Sequence, residues 1–182
     1  MLILFLSLAL LLAGCASPPE PTPEPLPEPL PEPAPEPPPA PEPTGTAPLV
    51  GTVWELYSQY ADQDTYNPPA GTVQFLFREA EPTLAVEGPV NRMSSRYSYR
   101  LSSAGSDRDD YEEGSLALSG IARDRATGRY IEYEDLMVQN LALAQGYYIS
   151  GDRPAESVLT IFGGHGLEEI ILFQLRVAEL PQ

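Results

Sequence analysis

Few side chains in this sequence have the chemistry of a catalytic or metal site. The 182 residues include one His, one Cys and 26 acidic residues, and all 10 basic residues are arginines. One Cys excludes disulfide frameworks, Fe–S clusters and structural zinc fingers, and one His excludes sites that need several imidazoles. The formal charge of −16 argues against nucleic-acid binding, because no basic stripe could neutralise phosphates.

The His and the densest acidic run are weak candidates for such chemistry. His165 stands between glycines, and no sequence neighbour supplies the nucleophile and orienting partner that a general base requires, so we expect a solvated turn residue. The acidic run offers oxygen ligands for Ca²⁺ but lacks the EF-hand spacing, which favours a solvated loop. Its members are Asp107, Asp109, Asp110, Glu112 and Glu113. We therefore expect no catalytic residue, no metal and no cofactor.

Four polar residues are candidates for ligand binding. Asn91 and Arg92 are adjacent in a predicted loop, where they could form a polar binding feature; the alternative is a turn in which Asn bonds to nearby backbone. Arg123 and Arg125 could hold a carboxylate or phosphate through bidentate hydrogen bonds. The alternative for both arginines is internal ion pairing, because acidic residues outnumber arginines in the chain.

Several aromatic residues could stack on the sugar rings of peptidoglycan. They are Trp54, Tyr57, Tyr97 and Tyr99, which lie in segments of alternating or β-rich composition. Aromatic residues in such strands more often belong to the core or to cross-strand pairs. We expect a core role for most of them and leave a surface role open for the rest.

The N-terminal segment predicts export and lipidation. Residues 2–13 form an apolar run of 12 residues, which is shorter than the ~20 needed to cross a bilayer and suits a secretory signal. The following Leu12-Ala13-Gly14-Cys15 resembles a bacterial lipobox. That resemblance implies cleavage before Cys15, lipid on Cys15 and, because Ala16 is not Asp, sorting to the outer membrane. The alternative is a buried apolar strand.

A spacer follows the lipidated Cys. Residues 18–43 contain 15 prolines and six glutamates, a composition that forms neither helix nor sheet. Polyproline II at ~3.1 Å per residue would extend this stretch by up to roughly 80 Å. We expect a disordered stalk; the alternative is a proline-rich ligand for an aromatic groove. The predicted segments are a signal peptide at 1–14, the lipidated Cys and linker at 15–48, a folded domain at 49–178 and a tail at 179–182.

The folded segment predicts an α+β domain of mainly antiparallel sheet. About eight short segments have strand-like composition, and short connections between consecutive strands favour antiparallel pairing. These segments are 52–57, 72–77, 83–86, 96–101, 115–119, 147–150, 158–162 and 169–175. One helix is expected within 131–145, with an apolar stripe at Tyr133, Leu136, Met137, Leu141 and Ala144 and with Gly146 as its C-terminal stop.

The folded segment resembles the META domain of HslJ-like bacterial proteins. Leu49-Val50-Gly51-Thr52-Val53-Trp54 resembles the family's opening Leu-x-Gly-x-x-Trp pattern, and residues 86–92 with Tyr97 resemble its Gly-x-x-Cys-Asn segment, with Val90 where Cys is common. Residues 121–126 resemble a Thr-Arg/Lys-Met-Ala element, although Asp124 replaces the usual Thr. The resemblance implies an antiparallel sheet with one helix, no established enzymatic activity and a general link to heat or envelope stress.

Together these features predict a lipid-anchored, non-catalytic protein of the bacterial envelope, facing the periplasm or the surface. It would bind or support an envelope protein under stress. The alternative is a module that binds cell-wall glycan or a small ligand.

Overall fold

The computed structural model describes residues 43–61, 64–68, 73–102, 110–165 and 168–181, with the side chains of 165, 168 and 169 excepted. The signal peptide, Cys15 and almost all of the proline-rich stretch therefore lie outside the described residues. The described residues belong to one compact unit, Ala40–Gln182.

Nine strands and one α-helix form this unit. The helix α1 spans Ile131–Leu143, and a short 3-10 helix spans Pro154–Glu156. The strands are β1 Val53–Ala61, β2 Asp64–Tyr66, β3 Gln74–Arg78, β4 Thr83–Glu87, β5 Arg92–Leu101, β6 Tyr111–Arg123, β7 Ala144–Ser150, β8 Val158–His165 and β9 Glu168–Glu179. All eight predicted strand segments and the helix are present, so the expected α+β class with antiparallel pairing is confirmed.

The sheet closes into a barrel of eight strands. Strand β1 pairs with β3, each strand from β3 to β8 pairs with the next in sequence, and β9 pairs with β1. All these pairings are antiparallel, and β2 adds a short hairpin to the C-terminal end of β1. Closure pairs the backbone N–H and C=O groups that the edge strands of an open sheet would leave exposed.

Large apolar side chains fill the barrel. Buried and exposed residues alternate along the strands, as in β4 and β5, because successive side chains point to opposite faces of a sheet. The bulkiest fully buried side chains are Trp54, Tyr147, Phe75, Phe77 and Phe173. A barrel of eight strands has an interior just wide enough for side chains to fill, and here it is a packed core.

Helix α1 covers one end of the barrel. Strand β6 ends and β7 begins at this end, and α1 lies between them in sequence. The helix contacts β1 and β6, which lie on opposite sides of the closed sheet, and so it spans the opening. Its own side chains Met137 and Leu141 are buried against the barrel. Among the described residues, no helix has the length and apolarity to span a membrane.

The segment before β1 covers the opposite end. The Gly45 N–H donates to the Asp152 carbonyl at 3.1 Å, and the Ala47 N–H donates to Ser157 Oγ at 2.8 Å. The indole N–H of Trp54 donates to the Leu49 carbonyl at 3.2 Å, which joins the segment to the core. Packing of the domain thus includes residues 45–48, just before the predicted start at Leu49.

The end of α1 differs from the sequence expectation. The helix ends at Leu143 and β7 starts directly at Ala144, so Gly146 is a strand residue and the prediction that it stops the helix is wrong. The buried face of α1 also differs from the apolar stripe. It combines Met137 and Leu141 with two polar side chains, Glu134 and Asn140. Asn140 Nδ2 donates to the Tyr60 carbonyl at 2.9 Å, which explains one of them.

Candidate functional site

Asn91, the first predicted ligand-binding residue, ends the loop that joins β4 to β5 and is buried against α1. Its Nδ2 donates to Glu134 Oε2 at 2.5 Å and to the Ala126 carbonyl at 3.2 Å. Its Oδ1 accepts from the Ala126 N–H at 2.8 Å. Glu134 Oε1 accepts from the backbone N–H groups of Val90 and Asn91, each at 2.8 Å. These contacts make Asn91 and Glu134 an internal link between the loop and the helix.

The three predicted arginines lie elsewhere on the surface. Arg92 Nε donates to Glu87 Oε2 at 3.1 Å, with both side chains mostly exposed. Arg123 Nη1 donates to Asp135 Oδ1 at 2.6 Å and so joins the end of β6 to α1. Arg125 is exposed in the connection between them. Internal ion pairing, the alternative considered for Arg123, describes the contact that it makes.

The aromatic residues considered for sugar stacking divide into two groups. Trp54 and Tyr97 are buried in the barrel, and the Tyr97 hydroxyl donates to the Arg78 carbonyl at 2.9 Å. Tyr57 and Tyr99 are exposed over 62% and 44% of their surfaces, respectively. The Tyr99 ring lies against the rings of Tyr97 and Tyr147, with centroids 6.0 and 6.4 Å away.

The acidic run is divided between described and undescribed residues. Asp107 and Asp109 lie outside the described residues, whereas Glu112 and Glu113 occupy the start of β6. The Tyr147 hydroxyl donates to Glu112 Oε1 at 3.0 Å, and burial raises the pKa of Glu112 above its usual value. Burial and the Glu112 carboxylate both raise the pKa of Tyr147. Within the described residues, no group of three or more His, Cys, Asp or Glu side chains could hold a metal ion.

His165 occupies the last position of β8, opposite Glu168 in the β8–β9 pairing. Its side chain lies outside the described residues, so the expectation of a solvated turn residue stays a prediction.

A groove on the outer face of β6, β7 and β8 contains a row of aromatic rings. We call it the outer groove and define it by Tyr111, Tyr148 and Phe162, with Glu113, Ser115, Gln145 and Gly146 among its lining residues. The Tyr111 and Tyr148 rings are nearly parallel, at 24° and 6.0 Å between centroids. Tyr148 and Phe162 follow at 33° and 6.4 Å. Each ring is half-buried and belongs to a different strand.

Strand alternation explains why these rings face outward. Tyr147 and Ile149 are fully buried, so Tyr148 between them points to the outer face. Ile161 is buried in the same way, and Phe162 follows it outward. On β9, Ile171 is opposite Phe162 and is 39% exposed, which continues the apolar surface beyond the groove.

Gly146 allows the Phe162 ring to lie across β7. A Cβ at position 146 would overlap the Phe162 ring and would also come within 3.1 Å of the Gly114 carbonyl oxygen. Absence of a side chain on this strand residue therefore fixes the position of the ring. Gly146 thus contributes to the shape of the outer groove.

Polar groups border the rings. Ser115 and Gln145 are exposed, and Gln145 Nε2 donates to the Gly164 carbonyl at 3.0 Å, which holds the amide at the groove. The Tyr111 hydroxyl donates to Glu113 Oε2 at 2.7 Å. The groove has a volume of about 450 Å³ and lies within the size range of ligand pockets.

A second hollow of about 410 Å³ adjoins the outer groove and shares Ser115 and Gln145 with it. It is lined further by Tyr99 and Arg100. The hollow lies where β6 separates from β7, because Ser115 opposite Gly146 is the last pair between these strands before β6 continues beneath α1. The two hollows form one continuous surface across β5 to β8.

Another hollow, of about 560 Å³, lies beside α1. Its walls mix opposite charges, with Arg129 near Glu132 and Asp135, and the Arg129 guanidinium lies 5.5 Å from the centre of the Tyr130 ring. Asp135 is already paired with Arg123. Asp135 and Arg129 thus have partners within the protein, whereas the outer groove presents rings and exposed polar groups.

Sequence reasoning singled out none of the three rings of the outer groove. Their signal was an aromatic residue at the solvent-facing position of an alternating strand, as Tyr148 is between Tyr147 and Ile149. That signal is visible only when the strand phase is known, and a Tyr-Tyr pair obscures the phase. Comparison with known proteins supplies no further site: no family model, no curated protein and no solved structure matches the chain.

Proposed function

We propose that this chain is a lipid-anchored bacterial envelope protein whose META/HslJ-like barrel binds another envelope component without catalysing a reaction. The outer groove carries this proposal. The barrel interior is filled by its own side chains, so the surface that offers room for a ligand is on the outside. Aromatic rings with exposed polar groups beside them are typical of binding sites.

The anchor rests on the N-terminal sequence. Cys15 in its lipobox-like context would carry the lipid, and residues 18–43 would hold the barrel away from the membrane. Two acyl chains suffice for stable attachment, because each buried methylene contributes about 0.8 kcal/mol. Replacing Cys15 by Ser should release the protein from the membrane fraction. Unchanged fractionation of Cys15→Ser would refute the anchor.

The partner is either an envelope protein or a cell-wall glycan. The resemblance to the META family favours a role under envelope stress, and the mixed aromatic and polar groove favours the glycan alternative. Arg92 and Arg125, both exposed, are secondary candidates for contacts with an acidic group on the partner.

Crosslinking in living cells tests the binding function. The tagged, lipidated protein should capture one recurrent species, identified by mass spectrometry, and Tyr148→Ala should lose it. A stalk-deleted version shows whether reach from the membrane is required. Equal capture by the wild type and Tyr148→Ala, or no specific capture at all, would contradict binding through the groove.

A further inference from the structure

We propose that the outer groove binds an uncharged glycan strand of the cell wall, with its pyranose rings stacked on Tyr148 and Phe162. This inference rests on the proposed binding function and names the class of ligand. The C–H face of a pyranose is apolar and packs against an aromatic face, whereas its hydroxyl groups at the edge require hydrogen bonds. The groove offers both kinds of contact on one surface.

The ring geometry suits a linear ligand. Tyr111, Tyr148 and Phe162 lie in a row across three neighbouring strands, with centroid separations of 6.0 and 6.4 Å and small interplanar angles. A row of similarly inclined rings presents successive stacking positions to a chain of sugars. Because Gly146 lets the Phe162 ring lie over the β7 backbone, this row is built into the sheet.

The polar groups beside the rings suit hydroxyl and amide partners. Gln145 uses one N–H for the Gly164 carbonyl and keeps its side-chain carbonyl and a second N–H. The exposed Ser115 hydroxyl both donates and accepts, and the Glu113 carboxylate accepts. These groups match the hydroxyl and acetamido substituents of a cell-wall glycan.

Charge selects among envelope polysaccharides. The chain has a formal charge of −16, and Glu113 places a carboxylate in the groove itself. A phosphate or carboxylate group would be repelled where it approaches Glu113, since like charges at an interface suppress binding. A neutral strand of N-acetylated sugars avoids this repulsion.

The dimensions favour a glycan over a folded protein partner. The outer groove of about 450 Å³ and the adjoining hollow of about 410 Å³ are each within the range of ~300–1,000 Å³ found for ligand pockets. They share Ser115 and Gln145, so together they extend the site beyond a single sugar. The adjoining hollow adds Tyr99 and Arg100 as further contacts.

Two probes test this proposal on the full-length, lipidated protein in detergent. The protein should co-sediment with purified peptidoglycan sacculi, and titration calorimetry should detect binding of the β-1,4-linked tetramer of N-acetylglucosamine. Tyr148→Ala and Phe162→Ala should each weaken tetramer binding by about tenfold or more. Gly146→Ala keeps every ring but displaces Phe162, and should also weaken it. Thermal melts establish that each variant is folded.

Tyr57→Ala is the matched control, because Tyr57 is an exposed aromatic on the outer face of β1, away from the groove. It should bind as the wild type does. Loss of binding in Tyr57→Ala with retention in Tyr148→Ala would overturn the groove assignment and keep glycan binding. Binding to phosphorylated lipopolysaccharide but not to sacculi would contradict the proposal that the ligand is uncharged. If the protein bound neither sacculi nor the N-acetylglucosamine tetramer but captured a protein in cells, the proposal of a glycan ligand would be wrong. The proposed binding function would then stand.

Discussion

At the scale of single residues, Glu134 and Asn91 stabilise the connection between α1 and the β4–β5 loop. The buried Glu134 carboxylate accepts three N–H bonds from Val90 and Asn91. A buried carboxylate is tolerated only when such donors satisfy it. Gly88 completes the contact, because a Cβ there would come within 2.6 Å of Glu134 Oε1.

We expect Asn91→Ala to lower the free energy of unfolding by about 2–3 kcal/mol. The substitution removes a donor from a buried carboxylate and leaves the Ala126 N–H without its acceptor. Its neighbour Arg92→Ala is the control and should change stability by less than about 0.5 kcal/mol, since its ion pair is exposed. Urea unfolding measures both values. Equal effects would contradict the structural role of Asn91.

Glu112 should make stability depend on pH. Burial raises its pKa in the folded protein, so the folded state keeps this proton at pH values where the unfolded chain has lost it. Its contribution to stability is therefore greatest in acid and falls as pH rises from the unfolded pKa of 4.5 through the folded pKa. Glu112→Gln lacks this titration. Its free energy of unfolding should therefore rise relative to that of the wild type as the pH increases through this range.

Urea unfolding of both proteins between about pH 4 and about pH 7 checks this expectation. Gln at this position keeps a carbonyl oxygen to accept the Tyr147 hydroxyl. Glu132→Gln, at an exposed position of α1, controls for general loss of surface charge. A stability difference between Glu112→Gln and the wild type that stays constant with pH would contradict the account.

The sequence predicted part of this residue-level structure. The sequence identified Asn91 as a candidate, either for ligand contact or for a local turn. Neither interpretation included Glu134, the partner that Asn91 contacts 43 positions away. Distant polar contacts of this kind are not visible in composition or spacing. Glu134 lies in the first turn of α1, yet its side chain turns inward to the loop.

At the scale of elements, α1 completes the core at one end of the barrel. Met137 is fully buried and Leu141 nearly so. We expect Met137→Ala to lower the free energy of unfolding by about 2–5 kcal/mol, because it leaves a cavity between helix and barrel. Leu136→Ala, one residue earlier and partly exposed, is the control and should cost less. Similar losses for both would show that the helix does not pack through Met137.

Strands were easier to predict than the boundary between helix and strand. Alternating or β-rich composition identified a segment of every strand of the barrel. The end of α1 was misplaced because the glycine signal at Gly146 has another cause: it makes room for Phe162 on the neighbouring strand. Closure of the sheet was not predicted, since pairing of β1 with β9 joins the two ends of the domain.

At the scale of the whole molecule, we propose an anchor and a stalk before the folded barrel. Residues 18–43 contain 15 prolines and six glutamates, a composition from which we expect no packing against the domain. Deleting them should leave the thermal melt of the domain unchanged, as calorimetry or circular dichroism would show. A shift of several degrees would mean that the stalk contributes to the folded domain.

The central claim is that the outer groove contacts an envelope component in the cell, and site-specific photocrosslinking tests it most directly. A photoreactive residue at Ser115 lies in the groove, whereas the same residue at Ser119 is exposed on the same strand outside it. The account predicts a specific adduct from position 115, none from position 119, and loss of the adduct in Tyr148→Ala. Equal adducts from both positions, or an adduct from position 119 alone, would contradict it.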